Sequence, residues 1–159
     1  MQAGVEQWPL PQQPFSEATT ALIQHLLHFK TALQAAAWTK VSTKDAVTAN
    51  GGKLVVELAD KSRVLLVIDD STLYAVSNKC SHLGLPLVGK TPVFQAKIEN
   101  KCVICPVHNT AFNLKTGEVE GEWCPKFPDL PFVGKLTPSK PLPTFESRYT
   151  ASGEVEVFV

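Results

Sequence analysis

Two short segments, Cys80-Ser81-His82-Leu83-Gly84 and Cys105-Pro106-Val107-His108, constrain this chain more than any other part of it. Each mixes a thiol with an imidazole, so neither completes a metal site alone, and the fold must bring two loops face to face. Together they offer two thiolates and two imidazoles. A binuclear iron–sulfur centre with unequally ligated irons takes this set, the soft thiolates on one iron and the imidazoles on the other. A structural zinc site also accepts two Cys and two His, and it stands as the alternative. Zinc fingers and ribbons usually pair like with like within a segment, however, and these segments do not. Gly84 permits close backbone approach, while Pro86 and Pro106 stiffen the loops.

The longer stretches Cys80-Ser81-His82-Leu83-Gly84-Leu85-Pro86-Leu87 and Ile104-Cys105-Pro106-Val107-His108-Asn109-Thr110-Ala111-Phe112-Asn113-Leu114-Lys115-Thr116-Gly117 resemble the Rieske family. Looser similarity runs from about residue 38 to residue 159. The resemblance implies an all-β Rieske fold of antiparallel sheets over 38–159, with a small cluster-binding subdomain at about 78–132. It also implies a [2Fe-2S] cluster, with Cys80 and Cys105 on one iron and His82 and His108 on the other. In the respiratory and photosynthetic branch each ligand loop holds a further cysteine, and the two form a disulfide. Here Leu85 and Val107 take those places. The branch's serine and tyrosine, which hydrogen-bond a bridging sulfide and a ligand thiolate, correspond to Thr110 and Phe112, of which only Thr110 can donate. Such bonds stabilise the more negative reduced cluster, so losing one lowers the potential. The chain thus resembles the ferredoxin-type branch, with a potential expected in the lower half of the Rieske range of about −150 to +300 mV.

The remaining cysteines, Cys102 and Cys124, flank the second ligand loop, and their sequence positions leave both a disulfide and buried free thiols open. A chain of 159 residues, 44% of them hydrophobic, is long enough for one ordinary core without a disulfide framework. Acidic and basic residues number 15 each, which gives no general argument for nucleic acid, an anionic membrane or an acidic substrate. Between 78 and 140 eight lysines face five acidic residues, an excess read as a solvated face. No apolar run approaches the roughly 18 residues of a membrane span, and the N-terminus lacks the pattern of a signal peptide. The chain therefore reads as soluble, although a processed precursor or an excised domain would read identically.

Residues 1–15 are rich in Gln and Pro and predict an extended arm. Ser16 can cap an amphipathic helix whose stripe, Ala18, Leu22, Leu26, Phe29, Leu33 and Ala37, runs up to Trp38; arm and helix together make a separate segment, 1–37. His25 and His28 lie three apart on it, with nothing nearby to complete a metal site. Beyond Trp38, runs rich in β-branched residues predict strands at 53–58, 63–68, 73–76, 93–98, 102–104, 112–114, 118–120, 144–150 and 155–159. Asp69-Asp70-Ser71 and Lys115-Thr116-Gly117 mark turns. Six prolines within 123–143 exclude a long helix or central strand and predict a wrapped connection, with Pro125 to Pro128 beside the cluster.

The function this implies is a soluble one-electron carrier whose donor and acceptor are redox proteins: a reductase, an oxygenase or a photosynthetic component. A plastid stroma or bacterial cytoplasm suits the missing disulfide and signal. A Rieske oxygenase would also need a mononuclear iron on two His and a carboxylate, and only His25 and His28 remain for it. Two readings stay beside the carrier: a small Rieske subunit of a reductase such as nitrite reductase, and a redox-sensing or structural Rieske-fold protein of a plastid photosynthetic membrane.

Overall fold

The structure, a computed structural model, describes residues 36–127 and 138–159. Its elements all belong to the unit Ala37–Val159. They are β1 (Trp38–Thr43), α1 (Lys44–Ala49), β2 (Lys53–Glu57), β3 (Arg63–Asp69), β4 (Thr72–Ser77), β5 (Lys97–Glu99), β6 (Cys102–Ile104), β7 (Ala111–Asn113), β8 (Val119–Glu120), β9 (Thr144–Phe145), β10 (Ser147–Tyr149) and β11 (Glu154–Phe158). The strands form three antiparallel sheets, ordered β1-β11-β10, β2-β3-β4-β9 and β5-β6-β7-β8.

The strand β3 explains how these sheets stack. Val64, Leu65, Leu66 and Val67 are all fully buried, although successive strand residues point to opposite faces. Val64 and Leu66 join a core with Val47, Val155 and Val157, beneath the first sheet; Leu65 and Val67 join another with Leu87, Val103, Phe112 and Leu142, beneath the third. The second sheet is therefore the middle layer, which is why its central strand is a continuous apolar run. Full burial of each such side chain stabilises the fold by about 1.5–3 kcal/mol relative to exposure.

At the end of β3, Asp70 and Ser71 have φ of 45° and 66°. Positive φ at both positions suits the type I′ turn of a two-residue hairpin, pairing Asp69 with Thr72 as the Asp-Asp-Ser composition predicts. The β4 strand then delivers the chain to the first cysteine cluster, and the small third sheet carries the second. Gly117, at φ 75°, joins these parts: its carbonyl accepts the Leu142 N–H at 2.7 Å. A Cβ there would stand 1.9 Å from the Leu142 carbonyl oxygen, so no other residue fits without moving backbone.

Several expectations need correction. Ala37 and Trp38 are not the end of a helix: Ala37 exchanges backbone hydrogen bonds with Val159 at 2.8 and 3.2 Å, and Trp38 pairs with Phe158. The rest of the predicted arm and helix, with His25 and His28, lies outside the described residues. The short helix α1 was not expected; Thr43 caps it by accepting the Ala46 N–H at 3.2 Å, and it seats the fully buried Val47. The predicted strand 93–98 is strand only in part: it opens in a turn closed by Phe94 N–H to the Thr91 carbonyl, Gln95 makes a single bridge to Val88, and regular pairing begins at Lys97. The run 144–150 breaks at Glu146, so that β9 pairs with β4 while β10 pairs with β11 in another sheet.

Candidate metal centre

The first cluster sits on a loop closed at its base by Asn78, which is 2% exposed. Its amide donates to the Val88 carbonyl and accepts the Val88 N–H, both at 2.8 Å, so one side chain imitates a strand pair and fixes the two loop ends together. Within the loop, Gly84 N–H reaches the Cys80 carbonyl and Cys80 N–H the Leu85 carbonyl, each at 2.9 Å. Gly84 has φ 70°, and the Lys79 side chain lies over it. The second loop turns between β6 and β7, with Cys105 N–H bonded to the Thr110 carbonyl at 3.0 Å and Asn109 at φ 63°.

These loops bring all four expected residues together. The donor atoms of Cys80, Cys105 and His108 lie within 4.8 Å of one another. The His82 and His108 rings stand edge to face, 4.7 Å between centroids. Cys80, Cys105 and His108 are at most 2% exposed, whereas His82 is half-buried and the adjacent Leu83 is 44% exposed. Access from solvent is therefore on the His82 side.

Buried thiols this close share a proton. The Cys105 thiol is held well below its usual range by the hydrogen bond from Cys80, against the effect of burial. The Cys80 thiol is pushed far up by that same bond and by burial. Both sulfurs would become thiolates together on a cation that takes the place of the shared proton. The two imidazoles beside them complete a donor set that fits a [2Fe-2S] group.

Thr110 is fully buried, and its hydroxyl is spent within the protein. Its Oγ1 lies 2.7 Å from His108 Nδ1 and accepts the Cys124 N–H at 2.8 Å. The Thr110 N–H also points at Nδ1, at 3.3 Å, and the other ring nitrogen, Nε2, lies 3.0 Å from Cys80 Sγ. Thr110 thus touches both His108 and the backbone of Cys124. Phe112 is fully buried, with ring centroids 6.4 Å from His108 and 6.3 Å from Trp123.

Trp123 and Asn78 beside the site escaped the sequence reading, and Cys124 was read there only as a cysteine flanking the second loop. Trp123 packs its ring 4.9 Å from that of His82 and 6.0 Å from that of His108. Asn78 closes the first loop. Cys124 places its sulfur with the ring nitrogens of His82 and His108, all within 4.8 Å. Cys102 and Cys124 are free buried thiols, and no disulfide joins them. The proline-rich connection passes the site as expected at Pro125-Lys126, where Lys126 N–H bonds the His108 carbonyl at 3.3 Å; Pro128 lies outside the described residues.

Fold and site together define an iron–sulfur electron-transfer domain. A sequence model of the Rieske [2Fe-2S] domain matches residues 37–139. The chain belongs to that family, and the domain carries a [2Fe-2S] cluster. The apoptosis-inducing factor 3 proteins of Mus musculus and Homo sapiens are each 38% identical to it over 87 residues, 55% of this chain; the match spans only 12% of their length. Among solved structures, the ferredoxin of carbazole 1,9a-dioxygenase from Nocardioides aromaticivorans IC177 superposes with TM-score 0.53 at 22% identity, over 77% of this chain and 98% of its own. A protein described as an NADH-dependent nitrite reductase small subunit from Mycobacterium tuberculosis gives 0.55 at 22% identity, over 78% and 96%. These likenesses establish the shared fold.

Proposed function

We propose that this chain is a one-electron carrier of the low-potential ferredoxin type, in which Cys80 and Cys105 ligate one iron of the cluster and His82 and His108 the other. The observation that carries the reading is the convergence of buried thiols and imidazoles from two loops in one small volume. The cluster, when bound, supplies reversible one-electron chemistry. The protein's part is to hold the sulfurs deprotonated, to exclude water from them behind Phe112 and Trp123, and to leave His82 as the contact point for another redox protein. A docked redox protein as partner is supported by the solved complex of oxygenase and ferredoxin from carbazole 1,9a-dioxygenase, whose fold this chain shares. We take a reductase, an oxygenase or a photosynthetic component as that partner, and a plastid stroma or bacterial cytoplasm as the setting. Among the described residues no helix is long and apolar enough to cross a membrane. Residues 38–159 are read as the cluster-bearing unit and 1–37 as an appended arm and helix.

The test is metal and sulfide analysis with electron paramagnetic resonance. The expected protein contains iron and sulfide in equal amounts and gives a Rieske-type signal on reduction, and His82→Ser or His108→Ser abolishes that signature. Bound zinc without sulfide would overturn the assignment.

A further inference from the structure

We propose that Cys124 is a reserve ligand, a fifth donor at this centre, placed to take the position of His82 when that imidazole is lost. The inference rests on the ligand reading above. Its geometric basis is that the sulfur of Cys124 and the ring nitrogens of His82 and His108 form a second group whose atoms, like those of Cys80, Cys105 and His108, all lie within 4.8 Å of one another. Cys102, the other unassigned cysteine, belongs to neither group and turns its sulfur toward the Asn100 carbonyl.

The position of Cys124 is tied to the site. The residue is fully buried, holds φ 53°, and donates its backbone N–H to the same Thr110 hydroxyl that contacts His108 Nδ1. One hydroxyl thus sets the place of an imidazole and of the thiol beside it. The thiol's own contact is a long one, 3.9 Å to the Phe127 carbonyl, weak enough to be given up.

Each iron of a binuclear cluster with two bridging sulfides takes two protein ligands, so four residues complete the set and a fifth is redundant while all four are present. A thiolate is at least as good a ligand for such iron as an imidazole. With the His82 imidazole absent, Cys124 would give its thiol proton to solvent and hold the iron as a thiolate in the place of the imidazole nitrogen, with no electron transferred. The centre would then carry one more negative charge, which would stabilise its oxidised form and lower its potential.

Four proteins prepared anaerobically decide the matter: wild type, Cys124→Ser, His82→Ala and the double variant, each assayed for iron, sulfide and paramagnetic resonance. Wild type and Cys124→Ser are expected to share the Rieske-type signal. His82→Ala should keep most of its iron and sulfide with the signal moved toward that of a thiolate-rich cluster, and the double variant should lose nearly all of both. A folded His82→Ala as empty as the double variant, or a double variant as full as His82→Ala, overturns the proposal and leaves Cys124 as core filler. A wild type without iron and sulfide overturns the ligand reading instead. Far-UV circular dichroism separates an empty variant from an unfolded one, and should His82→Ala not fold, His82→Asn makes the same comparison.

Discussion

At the scale of single residues, the second contact layer sets what the site does. Phe112 fills a buried place against His108 and Trp123 and offers sulfur no hydrogen bond. The potential is accordingly expected in the lower half of the Rieske range of about −150 to +300 mV. Phe112→Tyr should raise it by up to about 130 mV, since a hydrogen bond to a charged group is worth about 1.5–3 kcal/mol and about 59 mV corresponds to a tenfold change for one electron. Potentiometric titration of both proteins checks this; an unchanged or lower potential would show that the hydroxyl does not reach a ligand sulfur. The convergence of the four candidate residues was legible because reactive residue types recur at short spacing, which sequence displays directly. Cys124 and Asn78 were not, because their roles arise only from what folding brings beside them. An asparagine before a cysteine carries no sign that its amide will clasp Val88 across a closed loop.

Among elements, the middle sheet and the cluster-bearing sheet share one core, and Gly117 adds a backbone tie to Leu142, with left-handed backbone and a neighbouring carbonyl where any Cβ would stand. Gly117→Ala should destabilise the protein by on the order of 3 kcal/mol, combining strain with displaced backbone. Gly121 has a similar φ of 79° and open space around it, so Gly121→Ala should cost only about 1 kcal/mol. Urea unfolding of the two variants separates clash from strain; equal losses would contradict the reading. Most strands were legible from β-branched runs and turn residues. The misreadings have physical causes. Val93 and Phe94 supply the apolar content of a strand, yet they sit in a turn where Val93 is 65% exposed. The helix α1 is only six residues long and depends on the Thr43 cap and the seat for Val47 rather than on any periodic pattern.

For the whole molecule, the described ligands and the sheets that hold them form one unit that begins at the pairing of Ala37 with Val159. Removing residues 1–35 while retaining that pairing is therefore expected to leave colour and paramagnetic signal intact. Loss of both on truncation would mean that the N-terminal segment takes part in the cluster-bearing core. The all-β class was legible from the chain beyond Trp38, but the three-layer arrangement was not, since an apolar run shows that a strand is covered without showing by what.

The two-sided burial of β3 also bears on how faithfully the site is assembled. In a strand with one wet face, a slip of one residue would drive apolar groups into water, and polarity itself enforces alignment. In β3 both faces are apolar, so a shifted pairing would exchange Leu65 and Val67 for Val64 and Leu66 and still bury them. Hydrophobicity gives little information about alignment here. That information resides largely in the tight turn at Asp70 and Ser71, which ties Asp69 to Thr72 and thereby fixes where β4 ends and Cys80 begins. An exposed turn outside the two cysteine–histidine loops thus acts as the proofreading element for the candidate metal centre.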